Sequence, residues 1–100
     1  MASRVTLYGK PHDPDMKRLK REMNVMFVEY EQCDPESDAR ARRRLDDWGE
    51  AWVDGAKRKP LVEVALQDGS GSVFLENPDE PTLRQSLYSE GILSTTAYWV

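Results

Sequence analysis

At one hundred residues the chain has the length of one domain, and folding can bury roughly two-thirds of the unfolded surface without disulfide or metal staples. A hydrophobic share of 39%, with three Trp, four Tyr and two Phe, argues against a disordered chain, while 32% charged residues require a very polar surface. No segment approaches the roughly 20 apolar residues of a membrane helix, MASRVTLY has no signal-type apolar stretch, and one cysteine, Cys33, excludes an internal disulfide. The expectation is a soluble cytoplasmic protein with no membrane contact.

The net charge is −4, with segregated signs. Basic residues gather at Lys10 to Arg21, Arg40 to Arg44 and Lys57 to Lys59, acidic ones at Glu29 to Asp38 and Glu76 to Glu80. Runs of this kind on helices are normally solvated faces, so no nucleic-acid partner is expected.

In chain order, Val5-Thr6-Leu7-Tyr8 is a β-rich run closed by Gly9 and Pro11. From Pro14, Met16, Leu19 and Met23 fall on one helical stripe, and Lys17, Arg18, Lys20 and Arg21 take the opposite side, with Asn24 as the expected stop. Val25-Met26-Phe27-Val28-Glu29-Tyr30 then reads as a largely buried second strand. Asp34-Pro35-Glu36 signals a second helix carrying Ala41, Leu45, Trp48 and Trp52, which ends at Gly49 or runs on to Gly55. Leu61 to Leu66 and Ser72 to Leu75 form a hairpin across Gln67-Asp68-Gly69-Ser70-Gly71. Pro81 to Ser89 is the last helix, with Gly91 placed as its terminating glycine. The order is β-α-β-α-β-β-α, with no internal repeat or linker, and strands one and two must be parallel because a helix joins them.

This order, together with Val5-Thr6-Leu7-Tyr8-Gly9-Lys10-Pro11, Lys59-Pro60-Leu61-Val62, Asp68-Gly69-Ser70, Leu75-Glu76-Asn77-Pro78 and Gly91-Ile92-Leu93, resembles the glutaredoxins. The resemblance spans residues 1–93 and leaves 94–100 as an aromatic tail containing Tyr98 and Trp99. It implies a thioredoxin-like α/β fold: a four-stranded mixed sheet with helices on both faces. Where that family carries its redox pair, Cys-Pro-x-Cys, this chain reads Asp13-Pro14-Asp15-Met16. Asp13 therefore stands at the nucleophile's place and Met16 at the resolving cysteine's. A carboxylate keeps the negative charge at the helix start and deletes the sulfur chemistry.

Taken on their own chemistry, Asp13 and Pro14 are a well-made helix start, with Asp15 favourable in the first turn. His12 beside Asp13 and Asp15 offers too few ligands for a metal, so none is expected. Paired carboxylates for acid–base work lack any accompanying substrate signal. Cys33 follows the second strand among Glu29, Glu31, Asp34 and Glu36, which should raise its thiol pKa.

What the resemblance retains is a binding groove. It implies ligand contacts from Lys10, His12, Asp13, Lys59, Pro60, Leu61, Asn77 and Asp79, with Pro60 in cis and the Lys59 backbone turned toward the loop from Pro11 to Pro14. The helix opened by Asn77-Pro78-Asp79 would receive an anionic group through its free N–H donors. The expected function is a non-catalytic binding or regulatory module for a protein or thiol peptide, with no cofactor unless glutathione. The alternative is a thiol–disulfide oxidoreductase working through Cys33 or a partner's cysteine. A monomer is expected, with the tail as the route to any dimer.

Overall fold

The computed structural model describes residues 4–47 and 59–93. The elements are β1 Val5–Tyr8, α1 Pro14–Val25, β2 Glu31–Cys33, α2 Ala39–Asp47, β3 Leu61–Ala65, β4 Ser72–Glu76 and α3 Glu80–Ser89. They form an α/β domain on one mixed sheet of order β2-β1-β3-β4. β1 runs parallel to β2 and antiparallel to β3, and β3 is antiparallel to β4.

The central strands are buried on both faces, and strand alternation divides the core into two layers. Val5 and Leu7 of β1 with Val62 and Val64 of β3 face Met16, Leu19 and Met23 of α1 and Leu83 and Leu87 of α3. Tyr8 and Leu61 face the other way, against Ala41 and Leu45 of α2. The register explains this sorting, since Val5 stands opposite Val64 and Leu7 opposite Val62, while Tyr8 stands opposite Leu61. Each fully buried Leu or Met contributes about 1.5–3 kcal/mol, so the α1 stripe alone anchors that helix.

The second strand is not where the apolar run put it. Val25 ends α1, and Met26 and Phe27 turn the chain: the Phe27 N–H donates to the Asn24 carbonyl at 3.2 Å and the Val28 N–H to the Met23 carbonyl at 3.0 Å. These two bonds are the Schellman ending, in which the residue after the cap adopts a left-handed conformation. Phe27 has φ +57°. Val28 tucks back among the α1 core residues while Val25 and Phe27 face solvent, 67% and 94% exposed. The strand itself is the polar triplet Glu31–Cys33 at the sheet edge.

Asp34 makes a separate turn, its carboxylate accepting from the Glu36 N–H at 3.0 Å, and α2 begins only after Asp38, whose carboxylate accepts from the Arg40 N–H at 3.0 Å. The expectation of a cis Lys59–Pro60 bond fails, because every described peptide bond is trans. Trans is the lower-energy isomer of an X–Pro bond, and here the Pro60 carbonyl still accepts from the Asn77 N–H at 2.8 Å. Trp48, Trp52, the far end of the second helix and the tail from 94 to 100 lie outside the described residues.

Candidate functional site

Gly9-Lys10-Pro11-His12-Asp13 links the end of β1 to the start of α1. The Gly9 N–H donates to the Cys33 carbonyl at 2.9 Å, continuing the parallel ladder, and the Asp13 N–H donates to the Lys10 carbonyl at 3.2 Å. Asp13 caps α1: its backbone is extended and its carboxylate accepts from the Asp15 N–H at 2.8 Å, with Pro14 in the first helical turn. Met16 is fully buried, and a Cβ placed on Gly9 would lie 2.7 Å from its Cε and 3.2 Å from the Pro60 Cβ. Any larger residue at position 9 would have to displace the Met16 side chain and crowd Pro60, so Gly9 lets the loop seat directly against Pro60.

The β4–α3 turn completes the cluster. Arg18 of α1 donates to the Asn77 side-chain oxygen at 2.8 Å and to the Pro78 carbonyl at 3.0 Å, holding Asn77 at φ +39°. Asp79 caps α3 by accepting from the Thr82 N–H at 3.0 Å, and hydrogen bonding from the Thr82 side chain, then from its backbone N–H, holds the Asp79 carboxyl below the usual carboxylate range. Gly9 lies against Pro60, the Pro60 carbonyl accepts from the Asn77 N–H at 2.8 Å, and Arg18 ties α1 to the β4–α3 turn, which joins Gly9, Pro60 and Asn77 in one cluster. Lys10 is engaged with Glu36 at 2.7 Å, so its cation is already partly neutralised. His12 and Lys59 lie at the exposed rim. Leu61 is buried on the α2 side, leaving its side chain to packing rather than to a ligand.

Asp13 is thus a capping carboxylate and Met16 a core thioether. The arrangement can accept and donate hydrogen bonds at two helix starts. Among the described residues, no group of three or more His, Cys, Asp or Glu is disposed to hold a metal, and no helix is long and apolar enough to cross a membrane.

Cys33 sits elsewhere. It pairs in register with Tyr8 and, with Thr6, Tyr8 and Glu31, lines an open cavity of about 370 Å³ whose other side carries Asp38, Arg40 and Arg44. That cavity is on the α2 face, whereas Met16 belongs to the α1 layer. Burial pushes the Cys33 thiol pKa up, and the charges of Asp38 and Glu31 push it the same way. A protonated thiol is a poor nucleophile, which argues against redox work through Cys33.

Beside the cavity lies a polar cluster that sequence reasoning missed. Glu63, 1% exposed, accepts from the Tyr8 hydroxyl at 2.5 Å and the Ser72 hydroxyl at 2.7 Å, and Arg44 Nε lies 3.2 Å from its Oε1. The signal was a carboxylate in the middle of the apolar run Leu61-Val62-Glu63-Val64, with an Arg-rich helix nearby to pair it.

No protein-family profile, curated protein or solved structure matches this chain.

Proposed function

We propose that the chain is a thioredoxin-fold module of glutaredoxin type without the redox cysteine pair, which binds a protein or thiol-peptide partner at the cluster formed by Lys10 to Asp13, Pro60 and Asn77 to Asp79. The strand order and directions support the fold assignment. The observation that carries the function is Asp13: its carboxylate caps α1 where the resemblance puts the attacking thiol, at the end of a loop whose Gly9 lies against Pro60. A site with this layout and no sulfur retains helix-start N–H donors for a carboxylate or peptide carbonyl and loses electron transfer.

The trans Lys59–Pro60 bond shifts the docking surface. Recognition rests on the loop and the start of α3 rather than on strand-like pairing with the Lys59 backbone. The test is an amide-shift titration of the labelled protein with reduced glutathione and with a glutathionylated peptide, to about 10 mM so that millimolar affinities register. Shifts confined to Lys10, His12, Asp13, Asn77 and Asp79, with no disulfide exchange in a coupled assay, are expected. Shifts absent from this cluster for both probes, or turnover by the wild type, overturn the reading.

A further inference from the structure

The α2 face of the sheet carries a cavity that the cluster around Asp13 does not use. It measures about 370 Å³, within the roughly 300–1,000 Å³ of small-molecule sites. β1 supplies its floor through Thr6 and Tyr8, β2 one wall through Glu31, and α2 the other through Arg40 and Arg44, with Asp38 at the helix start. Strand alternation and parallel register build this arrangement, since Thr6 and Tyr8 share a face of β1 and stand opposite Glu31 and Cys33 of β2. On α2, Arg40 and Arg44 are one turn apart and share a side of the helix, next to the Ala41 and Leu45 stripe that packs on the sheet.

Three features of these residues bear on what the cavity could hold. Thr6 is 4% exposed, and its hydroxyl has no hydrogen-bond partner among the described residues, whereas a buried hydroxyl normally has one. Arg44 is held by Glu63 through Nε and Nη2, both at 3.2 Å, which fixes its guanidinium and leaves Nη1 without a partner among the described residues. Arg40 and Glu31 line the cavity from opposite walls, and among the described residues neither forms an ion pair. Asp38 spends its carboxylate on the cap of α2, accepting from the N–H groups of Arg40 and Ala41 at 3.0 and 3.4 Å. The lining thus carries two guanidiniums and two carboxylates. A simple anion drawn to Arg40 would meet Glu31, and a simple cation drawn to Glu31 would meet Arg40. A molecule with both charges meets its opposite on each wall.

We propose that this cavity binds a small zwitterion of the amino-acid or dipeptide class, its carboxylate on Arg40 and the Arg44 Nη1, its ammonium on Glu31, and a hydrogen bond to the Thr6 hydroxyl. Arginine suits the carboxylate because its planar fork offers paired N–H donors. Glu63 acts as a positioning residue: it pins Arg44 from behind, so that this side chain loses little freedom when the ligand arrives. The cavity is open and its charges are screened by water, so the affinity is modest. A second carboxylate, as in glutathione, would be left against Asp38, so this site and the cluster around Asp13 take different ligands. The two lie on opposite faces of the sheet, Met16 in the α1 layer and Ala41 in the α2 layer.

The experiment titrates the labelled full chain with alanine and with glycylglycine, each to about 10 mM so that millimolar affinity registers, and follows the amide shifts. One of the two should move the amides of Thr6, Glu31, Cys33 and Arg40 and leave those of Lys10, His12 and Asp13 in place; a response to alanine marks an amino-acid site and one to glycylglycine a dipeptide site. The N-acetylated form of that probe, which keeps only the carboxylate, and its amide, which keeps only the ammonium group, should each bind at least tenfold more weakly. Arg40→Ala and Glu31→Gln, both at exposed positions, should each weaken binding at least tenfold with unchanged thermal melts. No shift at the cavity amides with either zwitterion overturns the proposal, as does binding that survives both substitutions. An N-acetylated probe that binds as tightly as its parent overturns the zwitterion and marks an anion site instead.

Discussion

Replacing Tyr8 by Phe keeps the ring and removes only the hydroxyl that bonds Glu63. Tyr8 is fully buried and Glu63 is 1% exposed, so no water replaces that bond. A hydrogen bond to a charged partner contributes about 1.5–3 kcal/mol. The carboxylate still has Ser72 at 2.7 Å and Arg44 at 3.2 Å, which places the loss at the lower end, about 1.5–2 kcal/mol. For a domain of this size that lowers Tm by about 6–16 °C. Urea unfolding of wild type, Tyr8→Phe, Glu63→Gln and the double variant should give a coupling above about 0.5 kcal/mol, the limit for independent sites. The pH dependence carries a sign as well. Burial, and then the Glu63 bond and charge, hold the Tyr8 phenol neutral well above its ordinary pKa of 10.0. The folded-state pKa is raised, so the associated stability is complete below about pH 10 and is lost as pH rises beyond it, where the unfolded phenol ionises. Wild type should show this alkaline decline and Tyr8→Phe should show less of it. A Tyr8→Phe variant as stable as wild type, with no coupling to Glu63, would refute the account of the cluster.

Phe27→Gly should stabilise the monomer by about 0.5–1 kcal/mol, because the strain of a left-handed aromatic, about 1–2 kcal/mol, exceeds the unfolded-state entropy added by glycine; dilute urea unfolding measures it. Gly9→Ala should destabilise by about 1–3 kcal/mol, since the Met16 Cε can swing away but the Pro60 ring at 3.2 Å must shift, and the amides of Gly9, Met16 and Pro60's neighbours should report the strain. Cys33 should react with iodoacetamide more slowly than a free thiol at neutral pH, with a rate profile whose midpoint lies above about 8.5; a midpoint below that value contradicts the raised pKa.

Sequence pattern was sufficient where one signal governed each element. The Met16-Leu19-Met23 stripe, the Asp-Gly-containing hairpin turn and the terminating Gly91 all found their expected places. It failed at Val25 to Tyr30, because a short apolar run is compatible with a buried strand and with a helix end that folds back on itself. Phe27 at a position that favours glycine concealed the stop, and the true strand Glu31–Cys33 is too polar and short to announce itself. Asp34 and Asp38 carry the same cap chemistry four residues apart, and only packing of Ala41 and Leu45 on the sheet selects the second. At the site, Gly9, Pro60 and Asn77 form one cluster, whereas the isomer at Pro60 and the engagement of Lys10 by Glu36 depend on tertiary contacts that no local motif encodes.

The central claim is that residue 13 occupies an emptied thiol position, and the pKa of a thiol placed there tests it most directly. In an Asp13→Cys, Cys33→Ser variant only one thiol titrates, and thiolate absorbance follows it. The Asp15 N–H that now bonds the Asp13 carboxylate at 2.8 Å, together with the α1 dipole, should stabilise the thiolate and bring its pKa well below the ordinary value of about 8.5. A thiol that titrates at about 8.5 or higher would contradict the account, since the helix start would then lack the electrostatics that a glutaredoxin-type site requires.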